Sequence, residues 1–174
     1  MNNAQVMLSN SEQTRQSLCR LVANLMLKNK ISLATAESCT GGLIAAACTD
    51  LPGSSQWFER GFVTYSNAAK TELLGVDAAL IERNGAVSEA VAIAMVQGSI
   101  KNSHTQVAVA VTGVAGPDGG SAEKPVGTVW IAWSVLGKTT ATCHHFTGDR
   151  AAVREQTVLL ALQGLIDRMS VLGH

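Results

Sequence analysis

The chain has 174 residues, of which 13 are basic and 13 acidic, so its formal net charge is zero. That balance excludes an electrostatic grip on nucleic acid or on an anionic membrane, and no apolar run reaches the roughly 20 residues that a bilayer span needs. Only 15 % of residues are charged, against about 25 % in an average globular chain, so part of the surface is expected to be covered in a homo-oligomer.

The length suits one domain with one sizeable core. Cys19, Cys39, Cys48 and Cys143 form no CxxC pair and no His/Cys ligand spacing. Reduced thiols in a cytoplasmic protein, with neither a disulfide framework nor a metal site, are the expectation. The first ten residues are polar, lack an apolar signal core, and are expected to form a flexible arm ahead of a single domain over 11–174.

Ser11 is the expected N-cap of a helix whose inward stripe is Leu18, Leu21, Val22, Leu25 and Met26. Residues 31–36 read as a buried strand, 37–42 as a turn, and 43–51 as a helix of small residues. Leu51-Pro52-Gly53-Ser54-Ser55 is a breaker cluster. Trp57 to Tyr65 then reads as a second strand, and Ser66-Asn67 caps a short helix over 68–74. A helical turn over 78–83 ends at Asn84-Gly85. Ser88 opens a longer helix with Val91, Ala94, Met95 and Gly98 inward. Gln106 to Val111 is a continuous apolar strand of the fully buried kind. A long Gly/Pro-rich loop over 112–125 follows, then a hairpin of 126–135 and 138–146 turning at Leu136-Gly137. Asp149 caps the last helix, whose inner face carries Val158, Leu162, Leu165, Ile166 and Met169. Alternating strands and helices with a late antiparallel hairpin predict an α/β fold, a three-layer α/β/α domain with a mixed sheet.

The strand-to-helix turn Glu37-Ser38-Cys39-Thr40-Gly41-Gly42 is the first place to look for chemistry. Such a turn lifts a side-chain nucleophile off a sheet edge and aims backbone N–H groups outward. Ser38 is one candidate nucleophile, with a helix N-cap as its plainer reading. Cys39 is the rival, with a small buried core thiol as its plainer reading. The four histidines, His104, His144, His145 and His174, lie in no motif with an Asp or Glu. His144 and His145 are neighbours on one strand and point to opposite faces. A Ser-His-Asp triad therefore has little support.

A serine can instead be activated by a neutral lysine. Lys70 lies in the first turn of a helix just after Tyr65, the only tyrosine. The helix dipole there disfavours an ammonium. To act as a base near neutral pH its pKa must fall from about 10.4 to roughly 7–8. A solvated helix lysine beside a core tyrosine is the alternative. The glycines of the 112–127 loop allow backbone N–H groups to approach a ligand. Arg150 and Arg154 are candidates for holding an anionic group such as a phosphate, or else form surface ion pairs with Asp149 or Glu155.

Several blocks, in order, resemble the CinA C-terminal-domain family. They are Ala36-Glu37-Ser38-Cys39-Thr40-Gly41-Gly42; Gly53-Ser54-Ser55; Phe58 to Asn67 with Lys70; Gly85-Ala86-Val87-Ser88; Thr112 to Gly120 with Lys124 to Val129; and Gly148-Asp149-Arg150 with Val153-Arg154. The resemblance spans about residues 12 to 168 and implies a stand-alone form of a domain that other members carry behind an extra N-terminal one. It implies hydrolysis of the carboxamide of nicotinamide mononucleotide to nicotinate mononucleotide and ammonia, in NAD recycling. It implies Ser38 as nucleophile with Lys70 and Tyr65 in a Ser-Lys-Tyr arrangement, and Arg150 as a substrate contact. No metal or organic cofactor is expected. The only partner expected, apart from a second copy, is the small nucleotide. Thr40, Gly41, Gly42, Thr112 and Gly113 are the candidate oxyanion and substrate contacts. A non-catalytic nucleotide-binding paralogue, or an amidohydrolase for another small carboxamide, are the other readings.

Overall fold

The computed structural model describes the backbone of residues 3–171 and the side chains of residues 11–171. Five strands, β1 (Leu33–Glu37), β2 (Phe58–Val63), β3 (Val107–Gly113), β4 (Thr128–Val135) and β5 (Lys138–His145), form one sheet in the order β2-β1-β3-β4-β5. β1 runs parallel to β2 and β3, while β4 and β5 are added antiparallel. The hairpin turns at Leu136 and Gly137, both at positive φ, the geometry that matches the twist of the flanking strands.

Side chains alternate across a strand, and here the two faces carry different sizes. Leu33, Val107, Val109, Val111, Ile131 and Trp133 point to one face, where α1 (Asn3–Asn29), α2 (Leu43–Thr49) and α6 (Arg150–Ser170) cover them. Ala34, Ala36, Ala108, Ala110 and Ala132 point to the other, beneath α3 (Asn67–Leu74), α4 (Ala78–Asn84) and α5 (Glu89–Lys101). The result is the expected mixed-sheet sandwich, with an alanine floor under α5. Ser66, Asp77, Ser88 and Asp149 each cap the helix that follows through a side-chain oxygen.

Gly98 shows how closely the α5 layer is fitted. A Cβ built there would lie 2.0 Å from the Leu74 carbonyl oxygen, at the end of α3. Backbone cannot yield as a flexible side chain can, so Gly98→Ala is expected to cost roughly 3 kcal/mol and lower Tm by roughly 6–12 °C in a thermal melt.

Two local expectations are corrected. α1 begins at Asn3, so residues 3–10 continue the helix backbone and Ser11 lies inside it. The Ser11 hydroxyl donates to Glu155 Oε1 at 2.7 Å, beside an Arg15–Glu155 ion pair at 3.1 Å. Leu21 is 50 % exposed and lies off the inward stripe. The long loop, 114–127 between β3 and β4, is laced down. The Val114 amide donates to Thr128 O, the Gly127 amide to Val114 O, and Lys124 Nζ to Asn84 O at 2.8 Å. All four cysteines are free. Among the described residues no helix is long and apolar enough to cross a membrane.

Candidate active site

In an open sheet with parallel strands, ligands sit in the crevice outside the carboxyl ends of those strands. Here Ser38 follows β1, Thr64 and Tyr65 follow β2, and Thr112 and Gly113 end β3. The three ends meet at a cavity of about 220 Å³ whose polar lining includes Ser38, Tyr65, Asn67, Lys70, Thr112 and Arg150. Cys39, Ala86, Val87, Gly113 and Ala115 complete the wall.

Ser38 is held by its backbone. Its amide donates to Val111 O at 3.1 Å, and its carbonyl accepts from the Gly41 amide at 3.0 Å. The turn then reverses through Gly41 and Gly42 at φ +61° and +102°, angles that other residues rarely adopt. From the far side, Ser66 caps α3 by accepting from the Ala69 amide at 3.0 Å. This sets Lys70 on the first turn with its side chain running inward.

Lys70 is 1 % exposed and Ser38 8 %. Lys70 Nζ lies 2.9 Å from Ser38 Oγ, 2.9 Å from Thr64 O and 3.5 Å from Tyr65 O. A neutral amine has two N–H bonds and one lone pair. Nζ donates to Ser38 Oγ and to the Thr64 and Tyr65 carbonyls; with the amine neutral, its two N–H groups would still serve the carbonyls and the Ser38 hydroxyl would donate to the lone pair. Among the described residues no carboxylate pairs with Lys70. Burial accordingly holds its pKa below the usual lysine value.

Cys39, the rival nucleophile, is 6 % exposed, and burial pushes its pKa up to about 12. Its thiol stays protonated at neutral pH. No histidine lines the cavity. His144 instead faces Thr142 and stacks on Phe146, and His174 lies outside the described residues.

Tyr65 is 60 % exposed. Its hydroxyl accepts from Arg150 Nη2 at 3.0 Å, while Arg150 Nη1 donates to Gly116 O at 2.8 Å. Arg150 thus bridges the end of β2 and the long loop at the cavity. Arg154 donates from Nη2 to Thr40 O at 2.9 Å. Neither arginine forms the ion pair weighed above, since Glu155 is taken by Arg15.

The candidate contacts Thr40, Gly41 and Gly42 lie outside the cavity lining, and most of their polar groups are already spent. Glu37 Oε2 accepts from Thr40 Oγ1 at 2.7 Å, from the Gly42 amide at 3.1 Å and from the Ile44 amide at 3.0 Å, while Oε1 accepts from the Ala45 amide at 2.8 Å. The start of α2 is therefore closed by the protein's own carboxylate. Only the Cys39 and Thr40 amides of the turn have no carbonyl or carboxylate partner, and both face the Cys39 sulfur. Thr112 and Gly113 do line the cavity, but as part of β3, paired with Trp130 and Val129. The Thr112 hydroxyl donates to Ala86 O at 2.8 Å.

Reasoning from the chain alone missed Glu37 and Asn67. Asn67 sits three positions before Lys70 on α3, which puts both on one helix face.

Residues 15–169 match the CinA C-terminal domain. A relative from Pseudomonas putida, called nicotinamide-nucleotide amidohydrolase PncC, is 59 % identical over 132 residues, 76 % of this chain and 82 % of that one. Its namesake from Escherichia coli (strain K12) is 53 % identical over 137 residues, covering 77 % and 82 %. Among solved structures, the competence/damage inducible protein CihA from Agrobacterium tumefaciens superposes with a TM-score of 0.86 at 43 % identity, covering 88 % of this chain and 94 % of that one. Matched over nearly its whole length in sequence and in backbone, the chain belongs to the CinA C-terminal domain family.

Proposed function

We propose that the protein hydrolyses the carboxamide of nicotinamide mononucleotide to nicotinate mononucleotide and ammonia, with Ser38 as nucleophile and Lys70 as its base. The observation that carries this reading is the 2.9 Å contact between Ser38 Oγ and a lysine amine that is 1 % exposed. The names of the relatives supply the substrate.

Lys70, neutral, takes the hydroxyl proton as Ser38 Oγ bonds to the carboxamide carbon, and the carbonyl electron pair moves onto oxygen. The Cys39 and Thr40 amides, directly after the nucleophile and held by no more than the weak acceptor of the Cys39 sulfur, are the donors for that oxyanion. One such donor is worth roughly 3–4 kcal/mol. The C–N bond then breaks, and the Lys70 ammonium gives its proton to the departing nitrogen as ammonia forms. Water attacks the Ser38 ester and Lys70 takes one of its protons; Lys70 passes that proton to Ser38 Oγ as the ester C–O bond breaks, and the carboxylic acid released gives its remaining proton to solvent.

Lys70 reaches Ser38 without a relay, so the part left for Tyr65 is to hold Arg150. The five N–H donors of that guanidinium suit a phosphate. In this reading the carboxamide points inward and the phosphate lies by Arg150. The product would re-enter NAD synthesis.

The test is to mix purified protein with nicotinamide mononucleotide and follow ammonia and nicotinate mononucleotide. Turnover by the wild type and background rates in Ser38→Ala are expected. A rise in Tm with the nucleotide but no ammonia would instead favour a binding protein without catalysis. Iodoacetamide at pH 7.5 should leave turnover intact. A thiol with a pKa of about 12 is ionised in fewer than about one molecule in ten thousand at that pH. Inactivation that tracks alkylation of Cys39 would return the thiol to contention.

A further inference from the structure

The proposed reaction needs Ser38 Oγ kept at one place relative to Lys70. The turn that carries it has two glycines in left-handed conformation and little stiffness of its own. Beneath the turn lies Glu37, one residue before the nucleophile and 0 % exposed. Among the described residues no basic side chain pairs with this carboxylate. Its partners are one hydroxyl and three amides, all within eight residues downstream.

An ordinary helix cap satisfies one or two amides from the residue next to the helix. Glu37 reaches instead from the end of β1, under the turn, to the first turn of α2. Ser38, Cys39 and Thr40 are thereby enclosed in a loop tied at both ends. The same four bonds sort the donors of the turn. The amides of Gly42, Ile44 and Ala45 are consumed, and those of Cys39 and Thr40 face the Cys39 sulfur instead of the carboxylate.

We propose that Glu37 is the positioning residue of the nucleophile turn, tying the end of β1 to Thr40, Gly42, Ile44 and Ala45 so that Ser38 is fixed against Lys70. The proposal rests on the serine-nucleophile reading above. Charge and shape both matter. Glutamine keeps the length, but its NH2 group would face donors on one side, so bonds on that side are lost.

The experiment compares wild type, Glu37→Gln and Thr40→Val. Ser38 is labelled with a fluorophosphonate and followed by intact mass, a reaction in which the Ser38 O–P bond forms, fluoride leaves and Lys70 takes the proton. kcat and KM for nicotinamide mononucleotide are then measured per labelled site, with Tm alongside. Glu37→Gln is expected to slow labelling and kcat by about a hundredfold, the penalty of a displaced reacting group. KM should stay within about twofold and the pH midpoint of kcat should not move, because Glu37 does not touch Lys70. Thr40→Val, which removes one of the four bonds, should slow both roughly fivefold.

Labelling and kcat within threefold of wild type, with only Tm lowered, would reduce Glu37 to a structural cap and overturn the proposal. If Glu37→Gln does not fold, Thr40→Val decides alone, and an unchanged kcat and labelling rate overturns it. Wild type that labels but releases no ammonia would reject the substrate, while the labelling rates still test Glu37. A wild type that does not label at Ser38 overturns both.

Discussion

Lys70→Met is expected to abolish ammonia release while leaving a folded protein. Single losses from a nucleophile–base pair cost about 10⁴–10⁶ in kcat, because the two groups act as one unit. Methionine has nearly the length of the lysine stem and no proton to move. Burial penalises the ammonium form of Lys70, so its replacement relieves that penalty wherever the lysine would be charged. The loss of donors to Thr64 O and Tyr65 O works against this. The balance should fall within about 2 kcal/mol of wild type, read as a small Tm change. Lys70→Arg should be equally inactive, since a guanidinium keeps its proton at any working pH. More than about one per cent residual turnover in Lys70→Met would remove the lysine from the mechanism.

The second large effect is on pH. Burial lowers the pKa of Lys70, and only the neutral amine can accept the Ser38 proton. kcat/KM should therefore rise tenfold per pH unit below that pKa and level off above it. Stability must move the same way. Between the lowered folded pKa and the unfolded value near 10.5, the unfolded chain binds a proton that the native protein lacks. Stability thus increases with pH across that window, by about 1.4 kcal/mol per pH unit from this group. Below the folded pKa both states carry the proton and the penalty is constant.

Other shifted groups must be separated from it, among them Cys19, whose pKa is lowered, and Cys48 and Cys143, whose pKa values are raised. Burial lowers the pKa of His144, which adds a rise of the same sign on the acid side of 6.5. Cys39, pushed up to about 12 from 9.0, acts in the opposite direction above pH 9. Subtracting the pH–stability curve of Lys70→Met from that of wild type isolates the lysine. A difference curve that stays flat all the way up to the ordinary value of 10.5 would show that Lys70 titrates normally.

Much of this architecture is readable locally. Ser66, Ser88 and Asp149 cap their helices as expected, because a short polar side chain at a helix start needs only the next few amides. The Leu136-Gly137 hairpin and the buried strand before Val111 follow from turn chemistry and apolar runs. The lysine in the first turn of its helix, behind a serine cap, was visible for the same reason.

What escaped was non-local or disguised. Glu37 reads as the last residue of a strand, and nothing nearby announces that its carboxylate folds forward to the amides of residues 42 to 45. A glutamate just ahead of a hydroxyl- and glycine-rich turn is the one available signal. The Tyr65–Arg150 contact joins residues 85 positions apart, beyond the reach of any spacing rule. Ser11 looked like a helix start because serine favours caps. The preceding residues contain no glycine or proline, so nothing local stops the helix from extending back to Asn3.

The alanine floor of the sheet has a consequence for where variation is tolerated. α5 rests on those methyl groups, and at Gly98 it has no side chain between its backbone and the end of α3. Lys70 rides on α3, whereas Ser38 follows directly on β1 of the sheet. The gap between hydroxyl and amine is therefore gauged by a stack of the smallest residues available. Thickening any storey of that stack, by Ala108→Val for instance, would widen the gap and erode rate at positions that never meet the nucleotide.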